Sequence, residues 1–215
     1  MSSYRAYIFD LDGTITNTMV VWLDLFRQAL AHFKVPSPED SMIMKYTHDW
    51  REMVNLGLPE EKVLEFSSYM TEKAHTHLPE AAFHVGAYET LDSLKNNREK
   101  IAIFSNMDRP LFESAIKHRN LHTITSVTIA GTDVPHRKPK PDGILRALEL
   151  LKIPKKEHTN VVYIGDKETD IQSARAAGVT SILYYPASHQ NMYKLEELKL
   201  HKPDRIITDW SQLLT

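Results

Sequence analysis

The chain has 215 residues, enough to bury a core as one domain or as one domain carrying an insertion. It is 42% hydrophobic and 25% charged, and its formal charge of -2 gives no reason to expect a nucleic acid or a membrane as partner. It has no cysteine, which excludes disulfides, thiolate metal sites and thiol catalysis.

Arg5 and Asp10 arrive before any apolar stretch long enough for a signal peptide, and no later segment approaches a membrane span. A soluble, cytoplasmic protein is the expectation. Short apolar runs mark the strands: Ala6 to Phe9, Ile101 to Phe104, Ser126 to Ala130, Val161 to Ile164 and Ser181 to Tyr185. They do not alternate and are rich in β-branched residues, as strands covered on both faces are. Helical patterns lie between the later runs. One opens at Asp108-Arg109-Pro110; another opens at Pro141-Asp142 and carries Ile144, Leu145, Leu148 and Leu151. A third, around Thr169 to Ala177, stops at Gly178. Strand and helix in alternation predict right-handed crossovers and a parallel sheet.

About ninety residues separate the first two strands, where a crossover needs a dozen or more. The interval reads as helical. Met19, Trp22, Leu23, Phe26, Leu30 and Phe33 form one stripe, and Val63, Phe66, Met70 and Ala74 form another after Pro59-Glu60-Glu61. Residues 17–84 are therefore read as a helical insertion, with Tyr88 to Leu94 returning to the sheet.

Ligands of open parallel sheets bind beyond the carboxyl ends of the strands. The first strand leads to Asp10 and Asp12, the second to Ser105 and Asn106, and the fourth to Asp166 and Asp170; Lys138 follows the third. This set suits phosphoryl transfer. Asp10 and Asp166 offer hard oxygens to Mg²⁺, and a carboxylate can attack phosphorus. A lysine and backbone N–H groups would stabilise the charge on the phosphoryl oxygens, and Asp12 could move the proton of the leaving oxygen. A calcium loop fails on spacing, since the required glycine would be Ile15.

Taken in order, "DLDGT", "FSN", "KPKPD" and "GDKETD" resemble the four motifs of the haloacid dehalogenase-like superfamily, and the resemblance covers nearly the whole chain. It implies an α/β fold: a Rossmann-like parallel core of residues 1–16 and 85–215, with residues 17–84 as a helical C1-type cap. It implies adjacent first and fourth strands. Asp10 would be the nucleophile and Asp12 the general acid/base. Ser105 and the Asn106 backbone would hold the phosphoryl group, with Lys138 neutralising charge. Mg²⁺ would bind Asp10, the Asp12 carbonyl and Asp166, with Asp170 in support. Gly13 and Thr14 would shape the turn, and Gly165 would permit close approach. The implied activity is hydrolysis of a small phosphorylated metabolite by a monomer or homodimer.

The pattern departs from the family at Asn17, at Lys167 where many relatives have serine, and at Val85-Gly86. Within the insertion, His48 and Arg51 are the candidates for contact with the leaving group, an arginine suiting a carboxylate or second phosphate. His75 and His77 point to different helix faces, which speaks against a transition-metal site. One alternative is a phosphomutase of the β-phosphoglucomutase type. Trp22 stands where such relatives usually carry histidine, which favours hydrolysis. Asp12 disfavours dehalogenation, which needs no acid. A further alternative is a non-catalytic module phosphorylated on aspartate; receiver modules have no insertion after the first strand.

Overall fold

The computed structural model describes residues 4–46 and 50–214. Five apolar runs form strands within a residue of their expected bounds: β1 (Ala6–Phe9), β2 (Ile101–Phe104), β3 (Val127–Ile129), β4 (Val161–Gly165) and β5 (Thr180–Tyr184). A sixth strand, β6 (Arg205–Ile207), joins the edge next to β5. The described sheet is parallel throughout, in the order β3-β2-β1-β4-β5-β6. β1 and β4 are neighbours, with Phe9 opposite Ile164, so the chain segments that follow them emerge side by side.

Because side chains alternate along a strand, each face of the sheet builds its own core. Tyr7, Phe9 and Ile103 pack on one face with Leu91 and Phe112, from α4 (Ala87–Asn96) and α5 (Arg109–His118). Ile8, Phe104 and Tyr163 face the other way, onto Ile144 and Ala174 of α6 (Asp142–Leu150) and α7 (Glu168–Ala177). Leu145 is exposed, because the inward stripe of α6 runs through Ile144, Ala147 and Leu148. Gly178, in the left-handed conformation, ends α7 as expected.

The interval between β1 and β2 is helical, in more pieces than the two apolar stripes suggested. α1 (Thr18–His32), α2 (Asp40–Lys45) and α3 (Val63–His77) are joined by 3-10 segments at Trp50–Leu56 and Glu60–Lys62. They enclose a separate core in which Phe26 lies 5.6 Å from Trp50 and 6.4 Å from Phe66, ring centre to ring centre. Each ring buried there contributes about 2–3 kcal/mol. The outgoing and returning chains meet in a narrow ribbon. Thr16 bridges Phe83, Asn17 N–H donates to Ala82 O at 2.8 Å, and His84 N–H donates to Ile15 O at 3.0 Å.

Arg119 ties the returning end down. Its guanidinium is buried and donates to Ala81 O at 2.9 Å, Leu78 O at 2.8 Å and Ala115 O at 3.1 Å. A last short helix, α8 (Leu195–Lys199), precedes β6. No described helix is long and apolar enough to cross a membrane.

Candidate active site

The carboxyl ends of β1 and β4 bring the acids together. Asp10, Asp166 and Asp170 are buried, and each offers a carboxylate oxygen within 4.8 Å of the others. Two glycines permit this approach. Gly13 has φ +91°, and a Cβ there would sit 2.6 Å from Asp166 Oδ2. At Gly165 a Cβ would meet Asp170 Cγ at 2.3 Å, so a side chain at either position would drive a carboxylate out. Thr14 Oγ1 lies 3.2 Å from Asp10 Oδ2 and 3.3 Å from Asp166 Oδ1, holding the pair from behind.

Lys138 reaches this cluster from the loop after β3. Its ammonium donates to Asp10 Oδ1 at 2.5 Å, Asp170 Oδ1 at 2.7 Å and the Tyr163 hydroxyl at 3.1 Å. Asn106 fixes the loop by its side chain, accepting Lys138 N–H at 2.9 Å and donating to Lys138 O at 3.1 Å. Ser105, buried at the end of β2, accepts the Met107 N–H at 3.2 Å. Asp170 is saturated: its other oxygen accepts the N–H groups of Asp166 and Lys167 at 3.1 and 3.0 Å. It is therefore both a helix first-turn acid and the anchor of Lys138.

The electrostatics follow from crowding. Burial pushes the Asp10 carboxyl up to about 7; the Lys138 ammonium opposes the rise, while Asp170 and Asp12 add to it. Burial also raises Asp166 well above the usual carboxylate range, against the pull of Lys167. For Lys138, burial works against the charge, but Asp10 and Asp170 outweigh it and keep the proton on. Two carboxylate oxygens are buried with no hydrogen-bond partner, Asp166 Oδ2 in this centre and Asp12 Oδ1 near it. Unpartnered oxygens and carboxyls raised by burial are what a hard divalent cation would offset. Asp10 and Asp166 fit that purpose. Asp170 does so less well, because its two oxygens already accept four donors: the Lys138 ammonium, the Tyr163 hydroxyl and the N–H groups of Asp166 and Lys167.

Asp12 points away from this group towards the insertion, where the Trp22 indole N–H donates to its Oδ2 at 3.1 Å. A cavity of about 510 Å³ opens over Asp10, Asp12, Ser105 and Lys138 and is roofed by Trp22, Trp50, Thr71, Ala74 and His75. Of the expected core residues, Asp10, Asp12, Ser105, Asn106, Lys138 and Asp170 line this space, while Asp166 is fully buried and does not line it. Arg51 is exposed and is not among the cavity's described lining; His48 lies outside the described residues. The sequence reading did not include Trp22, Tyr163 or His75 in the site. For His75 the signal was available, since Thr71, Ala74 and His75 share one face of α3 at helical spacing.

The chain resembles known proteins over nearly its whole length. A provisionally named pyrophosphatase PpaX of Caldanaerobacter subterraneus subsp. tengcongensis is 31% identical over 224 residues, spanning 97% of this chain and 92% of the relative. The pyrophosphatase PpaX of Bacillus mycoides is 28% identical over 211 residues, spanning 96% and 94%. A crystal structure of a provisionally named phosphoglycolate phosphatase from Lactobacillus plantarum matches with a TM-score of 0.79 at 25% identity, over 99% of this chain and 98% of that one. The model of the haloacid dehalogenase-like hydrolases matches residues 7–184, and the chain belongs to that family.

Proposed function

We propose that the protein is a Mg²⁺-dependent phosphohydrolase of small phosphorylated metabolites that works through an aspartyl-phosphate on Asp10. The observation that carries this reading is the division of labour between two aspartates. Asp10 is held by Lys138 in the acidic centre, whereas Asp12 is held by Trp22 and faces the cavity. The names of the PpaX and phosphoglycolate phosphatase relatives support phosphate-ester or phosphoanhydride hydrolysis. We take residues 17–84 as the cap over a core of residues 1–16 and 85–215.

In the proposed reaction an Asp10 oxygen attacks phosphorus, the bond to the leaving oxygen breaks, and Asp12 delivers its proton to that oxygen. Asp12, now a carboxylate, takes a proton from water. The water oxygen attacks phosphorus, the Asp10–phosphorus bond breaks, and inorganic phosphate leaves. Lys138 and Ser105 hold the phosphoryl oxygens throughout. Asp10, Asp166 and the Asp12 carbonyl would hold Mg²⁺, which would supply positive charge to offset the carboxylates and the phosphoryl oxygens. Trp22, which has no proton to exchange at neutral pH, occupies the cap position next to Asp12 and supports hydrolysis over phosphomutase chemistry.

The test is phosphate release from p-nitrophenyl phosphate and from a panel of phosphorylated metabolites, with and without Mg²⁺. Asp10→Asn should abolish it. Undiminished turnover by that variant would overturn the assignment.

A further inference from the structure

Lys167 is unusual in its place. It follows Asp166 at the mouth of the acidic centre, half-buried, and among the described residues its ammonium has no ion-pair or hydrogen-bond partner. Buried or half-buried lysines without partners are rare, because the desolvation of the ammonium is not offset.

Its position is more telling than its charge. A recess of about 140 Å³ shares Asp12, Trp22, Trp50 and Lys167 with the large cavity, and among its described lining residues the ionisable ones are Asp12 and Lys167. Trp22 and Trp50 wall it, and Met19, Phe26 and Met44 close its far end. Lys138 does not reach it. The recess lies on the Asp12 side, where the proposed reaction releases its leaving oxygen. A leaving group seated there meets, among the described residues, one cation and the Asp12 acid in a chamber whose other walls are aromatic or apolar and which is too small for an extended molecule.

We propose that Lys167 is a specificity residue that binds an anionic substituent, a phosphate or a carboxylate, on a small leaving group seated in the recess against Trp22 and Trp50. The proposal rests on the phosphohydrolase reading above and narrows its substrate class to compact phosphorylated compounds with a second anionic group. An uncharged leaving group forfeits the ammonium contact and leaves Lys167 unpaired, so discrimination comes from both gain and penalty.

The experiment compares wild type, Lys167→Met and Lys167→Arg on three substrates: pyrophosphate, phosphoglycolate and phenyl phosphate. Thermal melts confirm that each variant is folded. For Lys167→Met, kcat/KM should fall roughly 10- to 100-fold further for an anionic leaving group than for phenyl phosphate, mostly through KM. Lys167→Arg should recover most of that difference. A selective loss on pyrophosphate alone identifies phosphate as the group bound; a selective loss on phosphoglycolate alone identifies carboxylate. An equal loss on all three substrates overturns the proposal and leaves Lys167 as a counter-charge to the acids. No loss overturns it as well. If wild type hydrolyses none of the three, nor any compound in the metabolite panel, the phosphohydrolase reading itself fails, which is a separate result.

Discussion

Lys138 Nζ and Asp170 Oδ1 lie 2.7 Å apart, and this contact ties the loop after β3 to the first turn of α7. Because the other Asp170 oxygen accepts the N–H groups of Asp166 and Lys167, one carboxylate aims the lysine and also fixes the end of β4. Asp10 therefore meets an ammonium whose position is set by an acid that is itself immobilised.

Replacing Asp170 by Asn keeps the shape and removes the charge. Steady-state phosphate release should fall about 10- to 100-fold, the usual effect of losing an orienting partner. Lys138→Met removes a donor to the phosphoryl group itself and should cost about 10²–10³ in kcat. The order of the two losses is the check. A larger loss for Asp170→Asn than for Lys138→Met would mean that Asp170 does more than position the lysine.

Much of this core was legible in the sequence for a simple reason. An apolar run that ends in charge or hydroxyl marks the carboxyl end of a buried strand, so Asp10, Ser105 and Asp166 were identified together. β6 was not legible, because its three residues include a half-buried arginine and isoleucine at a sheet edge and form no apolar run. The 3-10 segments lack the 3.6-residue period that the stripes were read by. Trp22 was assigned to the apolar stripe of α1, and its contact with Asp12 depends on how the chain turns at Thr16 and Asn17, which periodicity does not encode. Tyr163 sits on an inward-facing strand position and looks like core until Lys138 is seen at its hydroxyl.

The bond from Trp22 to Asp12 predicts a leaving-group effect. Trp22→Phe keeps an aromatic wall but removes the N–H that holds Oδ2. An acid that is less well aimed matters most when the departing oxygen needs its proton. With alkyl phosphates kcat should drop roughly 10-fold, and with p-nitrophenyl phosphate only a few-fold, from the loss of one hydrogen bond. Parallel losses across leaving groups of different basicity would reduce Trp22 to a packing role.

Gly13→Ala should damage cation binding more than folding. The left-handed φ of +91° costs a side chain about 1–2 kcal/mol. The added methyl would also lie 2.6 Å from Asp166 Oδ2 and must push that carboxylate aside. The apparent Mg²⁺ requirement in the phosphatase assay should rise about 10-fold or more, with kcat falling in step. Calorimetric titration with Mg²⁺ separates this from instability; unchanged affinity in a destabilised protein would contradict the close-approach argument.

His84 makes stability depend on pH. Its Nε2 lies 3.1 Å from the Gly13 carbonyl, which can only accept, so Nε2 carries the proton of a neutral ring. The ring stands between Tyr184 and His189, and burial lowers its pKa to about 4 despite the Gly13 carbonyl. Between about pH 6.5 and 4 the unfolded chain takes up a proton that the folded protein refuses, so stability falls as pH is lowered through that window and the penalty then levels off. The full effect is at most about 3 kcal/mol. His84→Gln, which retains a donor for the carbonyl, should flatten the decline in urea-unfolding free energy between pH 7 and 4. An unaltered slope would assign the acid sensitivity to other groups, among them the adjacent His189, whose pKa burial lowers to about 3.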